Sequence, residues 1–290
     1  MTVKCPQCNS QTRLLFKTRE TAKRDAPEKF SYYRCQNCSL IFLSPIPSDL
    51  SQYYTSAYYK VPASISELQA DLGLSQSRLD AVKLHKPKGK LLEIGAGTGG
   101  FVFSAKQAGF SVDAIEMDQA CCQFMKDKLN IPAIHTDDPL EALQTLGSYD
   151  VVALWHVIEH LPDPWAFLDL VAEHINPGGI LIMAAPNPAS LQFRLFGKRW
   201  AHIDAPKHLQ LIPIQLLIER LGKQNWVHLS TTTNDLGAKI THYIGWRWSL
   251  VSLTGWTKWM NLLGSIMYRL AAPLERTGER GSSYTIVFQR

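Results

Sequence analysis

A short apolar run that passes directly into a glycine-rich turn constrains this chain more than any other feature. Leu91-Leu-Glu93-Ile is followed by Gly95-Ala-Gly97-Thr98-Gly99-Gly100 and then by residues at helical spacing. Such a turn belongs at the carboxyl end of a parallel strand, where residues without side chains let the backbone approach a ligand. From Lys90 onward, short apolar runs alternate with amphipathic stretches, which predicts an α/β, doubly wound parallel sheet. The predicted strands are Leu91 to Ile94, Ser111 to Glu116, Ala133 to His135, Val151 to Trp155 and Ile180 to Ala184, with Trp226 to Thr231 and Tyr284 to Gln289 completing the sheet. Helices are predicted over Phe101 to Ala108, Gln119 to Leu129, Pro139 to Thr145 and Pro164 to His174. Asn176-Pro-Gly-Gly179 reads as the turn that ends the last of them.

The glycines alone do not choose a ligand, because Gly95, Gly97 and Gly100 also fit the spacing of a dinucleotide-binding turn. Glu93 discriminates. It lies two residues before Gly95 in a strand covered on both faces, where a carboxylate without a partner is costly. The ammonium of S-adenosylmethionine would satisfy it, whereas a dinucleotide pyrophosphate would be repelled. Glu116 ends the second predicted strand, where a carboxylate accepts hydrogen bonds from both ribose hydroxyls of either cofactor.

Leu-Leu-Glu93-Ile-Gly95-Ala-Gly97-Thr98-Gly99 resembles the first motif of class I S-adenosylmethionine-dependent methyltransferases. Asp113-Ala-Ile-Glu116-Met117-Asp118 is similar to that family's ribose-binding strand end. Asp150-Val-Val-Ala-Leu-Trp-His156-Val-Ile-Glu-His160-Leu-Pro-Asp-Pro164 resembles the fourth-strand motif of its ubiquinone-pathway-like branch. The resemblance covers about residues 90 to 236. It implies a Rossmann-like seven-stranded sheet of order 3-2-1-4-5-7-6 with strand seven antiparallel, and the terminal Tyr-Thr-Ile-Val-Phe-Gln run fits that strand. It also implies that Gly95, Gly97, Thr98 and Gly99 hold the cofactor, that Met117 flanks the adenine, that Asp137 reaches its amino group and that His156 lines the methionine side.

Four of the six cysteines form two pairs, Cys5-Pro-Gln-Cys8 and Cys35-Gln-Asn-Cys38. Two residues between thiols let one tight turn present both sulfurs to one ion, and two such turns complete a tetrahedral shell for structural zinc. The 26 residues between the pairs have room for a hairpin, Thr12 to Thr18 and Phe30 to Arg34. Four free thiols or two disulfides are the alternatives, and a reducing compartment disfavours disulfides. Cys121 and Cys122 sit on a predicted helix and read as small apolar core residues. Pro45 and Pro47 break the apolar run after Cys38, which divides the chain into a zinc ribbon over 1–47, a linker with N-terminal helices over 48–89 and a methyltransferase domain over 90–290. The ribbon resembles those fused to bacterial methyltransferases that act on sugars.

Residues 1 to 40 hold eight Lys/Arg against three Asp/Glu, which accounts for the whole formal charge of +5. A basic ribbon can grip nucleic acid, acidic lipid or a phosphorylated substrate. Four thiolates on a divalent ion return about two negative charges to the module, which weakens the nucleic-acid reading. MTVKCPQCNS has no apolar run behind its charge, so no secretory signal is expected and the location is read as cytoplasmic.

Substrate specificity in such sheets resides in the loops beyond the strands' carboxyl ends. The loop after the fifth strand, 187–211, carries Arg194, Lys198 and Arg199, and its run Trp200-Ala-His-Ile-Asp-Ala-Pro-Lys-His208 resembles a lid signature of the branch. His208 is the first candidate general base and His160 the second. A structural hydrogen bond in the lid is the alternative role for His208, and helix capping or packing before Pro162 that for His160. The three cations could pair an acceptor phosphate or remain solvated.

Between the last two strands the segment 236–281 holds four of the eight tryptophans, Trp246, Trp248, Trp256 and Trp259, among apolar residues and single cations. Short apolar helices of about 10 to 14 residues, too short to span a bilayer, would form a hairpin that touches a membrane surface over 240–272 or packs against a homodimer partner. The combined reading is a peripheral enzyme that methylates a small or lipid-linked acceptor, a sugar or prenylated ring, on oxygen. An RNA methyltransferase gripping RNA through its ribbon and a non-catalytic cofactor-binding scaffold are the alternatives.

Overall fold

The computed structural model describes residues 3–21, 27–54, 60–254 and 257–290. The chain begins with an antiparallel meander of β1 (Thr12–Thr18), β2 (Phe30–Cys35) and β3 (Ile41–Leu43). Two helices, α1 (Ile65–Gln69) and α2 (Gly73–Lys83), lead into the large sheet. There β4 (Lys90–Ile94), α3 (Gly100–Gln107), β5 (Ser111–Glu116), α4 (Gln119–Leu129), β6 (Ala133–His135), α5 (Pro139–Gln144), β7 (Tyr149–Trp155), α6 (Pro164–Glu173) and β8 (Ile175–Pro186) alternate. The segment after β8 holds α7 (Leu191–Phe196) and β9 (Gln210–Leu211), followed by α8 (Ile214–Gly222) and β10 (Val227–Thr232). Two helices of 19 residues each, α9 (Leu236–Thr254) and α10 (Thr257–Glu275), precede the final β11 (Ser283–Gln289).

The seven-stranded sheet has the order β10-β11-β8-β7-β4-β5-β6, with β11 antiparallel to both neighbours and the pairs among β8, β7, β4, β5 and β6 parallel. This is the topology expected from the sequence. Its central strands are buried on both faces, as Leu91, Leu92, Val152 and Leu181 show, because helices cover each side. Local signals set the helix starts. Asp138 and Asp163 cap α5 and α6 with their side chains, each ahead of a proline in the first turn, and Asp118 caps α4.

Three segments differ from expectation. Asn176 to Gly179 lies inside β8, because Gly178 N–H donates to the Arg290 carbonyl and Arg290 N–H to Gly179, both at 2.9 Å, which extends pairing beyond the predicted turn. The 187–211 segment is only partly loop: β9 pairs antiparallel with β3, so the ribbon sheet has four strands, β1-β2-β3-β9. Each helix of the tryptophan-rich insert is longer than the predicted stretches, since each takes in polar residues that are buried, His242 and Ser249 in α9 and Glu275 in α10.

Candidate active site

The first glycine turn lies at the carboxyl end of β4, between β5 and β7. Gly95 has φ +71°, and a Cβ there would stand 2.5 Å from Cγ2 of Val157, just beyond β7. Gly99 has φ +82° and abuts Met125 of α4. Both positions therefore exclude side chains, and the turn stays flat against its neighbours. Glu116 bridges it to β5: one carboxylate oxygen accepts from Gly97 N–H at 2.7 Å and the other from Asp118 N–H at 2.8 Å. Burial raises its pKa, against the pull of these N–H groups. Met117 and Asp137 are exposed at the ends of β5 and β6, the edge where the resemblance places an adenine.

Glu93 is 2% exposed and its Oε2 has no hydrogen-bond partner. Burial pushes its carboxyl up to about 8, only partly offset by the Arg78 guanidinium. Arg78 comes from α2 and lies 4.8 Å over the Trp155 ring, beside His156. Nothing in the sequence marked it, because an arginine on an amphipathic helix reads as a solvated surface residue.

The turn after β7 carries the second group of titratable side chains. Glu159 is 1% exposed and contacts His156 Nδ1 at 3.3 Å. Burial alone would raise its pKa, but the hydrogen bond from His156 and the fields of His156, His160 and His208 hold it at about 2. His160 and His208 stand edge to face with ring centroids 4.7 Å apart. Burial, and then the neighbouring His208, lower His160 to about 4. Its Nδ1 lies 2.9 Å from the Tyr54 hydroxyl and 3.1 Å from the Lys207 carbonyl.

His208 Nδ1 is 2.9 Å from the His202 carbonyl, which can only accept, so Nδ1 carries the proton. In the neutral ring Nε2 is then a bare acceptor, 4.0 Å from Glu159 Oε1. The two histidines predicted as bases are thus brought together on one buried carboxylate. Glu159 and Tyr54 were missed as partners, although Glu159 lies within the fourth-strand motif. Glu159, His160 and His208 also offer donor atoms within 4.8 Å of one another, a set that could hold a divalent ion.

The four ribbon cysteines converge as their spacing predicts. Their sulfurs lie within 4.8 Å of one another, with Cys5 to Cys38 at 3.6 Å, Cys8 to Cys35 at 3.5 Å and Cys8 to Cys38 at 3.7 Å. Zinc–sulfur bonds of about 2.3 Å give tetrahedron edges of about 3.8 Å. Cys121 and Cys122 are buried in α4, as expected of core residues.

A cavity of about 460 Å³ opens where ribbon, lid and α9 meet. Arg19, Lys198 and Arg199 line one part of it and Ile244 and Trp248 another. Glu28 ties this wall together, 2.7 Å from Lys198 and 3.9 Å from Arg19. Arg194 is exposed on α7 and is not among the lining residues. Outside the cavity, α10 presents Trp259, Leu262, Leu263, Ile266, Leu270 and Leu274 to solvent, with Trp259 67% and Leu270 68% exposed. Their spacing of three and four forms one helical stripe. Trp246 departs from the expectation that it joins this face: it is 3% exposed, and its indole N–H donates to Glu275 Oε1 at 3.1 Å. Trp256 and the side chains of Leu253 and Lys258 lie outside the described residues. Among the described residues no helix is long and apolar enough to cross a membrane.

Sheet order, glycine turn and paired acidic strand ends together define a class I S-adenosylmethionine-dependent methyltransferase. Comparison with known proteins agrees. Residues 67–231 match the family described as methyltransferase domain, more than half of the chain, and the protein belongs to that family. A ubiquinone biosynthesis O-methyltransferase from Xanthomonas campestris is 26% identical over 143 residues, 46% of this chain and 60% of the relative. One from Cereibacter sphaeroides is 28% identical over 176 residues, 56% of this chain and 67% of the relative. The chain therefore spans about 60% of the length of the first of these relatives. Among solved structures, a SAM-dependent methyltransferase from Archaeoglobus fulgidus shares the fold with TM-score 0.52 and 17% identity, over 78% of this chain and 97% of that one. One from Mesorhizobium loti does so with TM-score 0.50 and 13% identity, over 77% and 100%.

Glu116→Ala is expected to weaken S-adenosylmethionine binding by roughly 1.5 to 3 kcal/mol, the scale of a lost hydrogen bond to a charged group. Isothermal calorimetry measures it, and unchanged affinity would show that the ribose is not held at β5.

Proposed function

We propose that the protein transfers a methyl group from S-adenosylmethionine to a hydroxyl oxygen of a lipid-linked acceptor, with His208 as proton acceptor. The observation that carries the reading is the fixed tautomer of His208: Nδ1–H is committed to the His202 carbonyl, leaving Nε2 bare beside the Glu159 carboxylate. A hydroxyl proton delivered to Nε2 makes an imidazolium, which that carboxylate stabilises. His160, neutral near pH 7, packs against the same ring.

The residues present suit the cofactor. The unsatisfied Glu93 Oε2 would receive its ammonium, Arg78 its carboxylate and Glu116 its ribose hydroxyls, and the glycine turn leaves room for close backbone approach. When bound, the cofactor supplies a sulfonium-activated methyl group, so positioning provides much of the rate. The four cysteines suit structural zinc, since four thiolates leave no position open for substrate.

The acceptor's lipid character rests on the α10 stripe and on the charge beside it. Residues 236–276 hold Lys239, Arg247, Lys258, Arg269 and Arg276 against the single acid Glu275, and Glu275 is buried. Each such cation near an anionic surface contributes about 1 kcal/mol, less than the apolar face does. The two helices, each about 28 Å long, would lie flat on the cytoplasmic membrane face. Changing Trp248, Trp259, Leu262 and Leu270 together to Ser is expected to lower co-sedimentation with phosphatidylglycerol vesicles about tenfold, leaving Trp246 and the packed side intact. Equal sedimentation would refute the membrane contact, and loss of a dimer in the variant would assign the stripe to a second copy.

Incubation with methyl-labelled S-adenosylmethionine and a cell extract tests the reaction itself. Label in the lipid fraction, released as a methyl ether and lost in His208→Gln, is the expected result. Label in RNA would overturn it.

A further inference from the structure

The ribbon and the lid clamp His208 between them. β3 pairs with β9 as Ile41↔Leu211 and Phe42↔Gln210, and Leu43 N–H donates to the Leu209 carbonyl at 2.8 Å. Upstream, Thr21 N–H donates to the Ala205 carbonyl at 2.9 Å. Between these points the peptide unit joining His208 to Leu209 is held on both sides. Its carbonyl accepts from the Tyr32 hydroxyl at 2.7 Å, and its N–H donates to the Glu159 carbonyl at 2.8 Å. A peptide unit is planar, so two hydrogen bonds on its opposite edges fix its orientation, and His208 N–H, donating to the Asp204 carbonyl at 3.2 Å, holds the preceding unit, so the Cα–Cβ direction of His208 is set from both sides. Tyr32 is fully buried, packed on Phe16 with ring centroids 5.3 Å apart, and lies on β2 three residues before Cys35. Without water to exchange with, its hydroxyl has strong reason to keep this bond.

We propose that Tyr32 is a positioning residue for methyl transfer, holding the His208–Leu209 peptide from the ribbon side so that the four-cysteine turn sets where the His208 ring stands over Glu159. The proposal rests on His208 as proton acceptor, and it gives the ribbon a role in catalysis that needs no contact with substrate. Cofactor binding is independent of it, because Glu93 and Glu116 belong to β4 and β5, whose neighbours are strands of the large sheet.

The test is Tyr32→Phe, which removes one oxygen, in the full-length zinc-loaded protein with carbon-labelled histidine rings. His208→Gln assigns the His208 resonance. The variant is expected to keep one metal equivalent and to bind S-adenosylmethionine within about twofold of wild type. Its His208 ring signal should move, with a titration midpoint displaced by about half a pH unit or more, and transfer of labelled methyl to a lipid extract should fall about tenfold. An unchanged His208 signal and midpoint in Tyr32→Phe would overturn the proposal. Wild-type turnover in His208→Gln would instead remove the proton-acceptor reading, while the placing of the ring is judged by the resonances alone. Chelation of metal from wild-type protein gives a second route that does not depend on the variant folding. There His208 should move while His135, on the far edge strand β6, stays in place. A fixed His208 signal, or one that moves only together with His135, would count against the ribbon as a brace.

Discussion

Cys35→Ser protein is expected to lose its metal and, with it, the ordered ribbon and lid. Cys35 is 1% exposed, and its sulfur accepts from the N–H groups of Asn37 and Cys38, each at 3.4 Å. Burial pushes the Cys5 thiol up to about 11 and raises Cys38 as well. Against burial, hydrogen bonds with Ser10, Cys35 and Asn37 lower Cys8 to about 6, so the cluster resists ionising beyond that first thiolate until a cation offsets the charge, and metal binding drives both the further deprotonation and folding. Apparent zinc affinity in small four-ligand modules is about 10 to 16 kcal/mol, comparable with the entire stability of a domain. The damage should spread along hydrogen bonds rather than through the whole core. β3 loses its anchor first and then β9, whereas the center of the large sheet keeps its own buried strands. Metal analysis and amide exchange at Leu43, Leu209 and Leu211 would measure this, with Cys121→Ser as a control that keeps the metal. A full zinc equivalent in Cys35→Ser protein would sink the assignment.

The parts of this molecule legible in its sequence are those specified by local pattern. Strand period, aspartate–proline helix starts and the glycine turn fix the order and direction of the large sheet, and paired cysteines fix which turns converge. What escaped was set by contacts distant in sequence. Tyr32 and His208 are 176 residues apart and Tyr54 and His160 are 106 apart, and no periodicity links either pair. Arg78 looks like any helix-surface arginine until α2 lays it over Trp155. Trp246 shares the composition of its neighbours but not their environment. Its place is chosen by Glu275, which burial makes costly to ionise and which also accepts from Gln192 Nε2 at 2.8 Å. The strand β9 is only two residues long, and its partner lies in a different module. Local pattern specifies strand faces and the glycine turn, whereas tertiary packing decides which face meets which, and it also drew Asn176 to Gly179 into β8.

Binding of S-adenosylmethionine is expected to release close to one proton at pH 7. In the ligand-free protein burial holds Glu93 at about 8, against the lowering field of Arg78, and its Oε2 has no partner. One pH unit below that value the carboxyl is about nine-tenths protonated. An ammonium brought against it favours the ionised form, so the proton leaves as the ligand arrives. Affinity should therefore fall about tenfold for each pH unit below 8, down to the pKa of the bound state, because the protein must first surrender the proton. Above about 8 the ligand's own amino group becomes neutral and affinity falls again, which puts the maximum near pH 8. The stability of the free protein runs the opposite way. A carboxyl raised from 4.5 to about 8 contributes stability that is complete below 4.5 and lost as pH rises toward 8. Ligand-induced thermal stabilisation should thus be larger at pH 8 than at pH 6. Calorimetry at pH 7 in two buffers of different ionisation enthalpy counts the proton, and Glu93→Gln should abolish both its release and the acid-side slope. Adenosine, which lacks the ammonium, should bind without either. Proton-neutral binding by the wild-type protein, with affinity flat from pH 6 to 8, would show that the ammonium is held elsewhere and that Glu93 keeps its proton as a structural group.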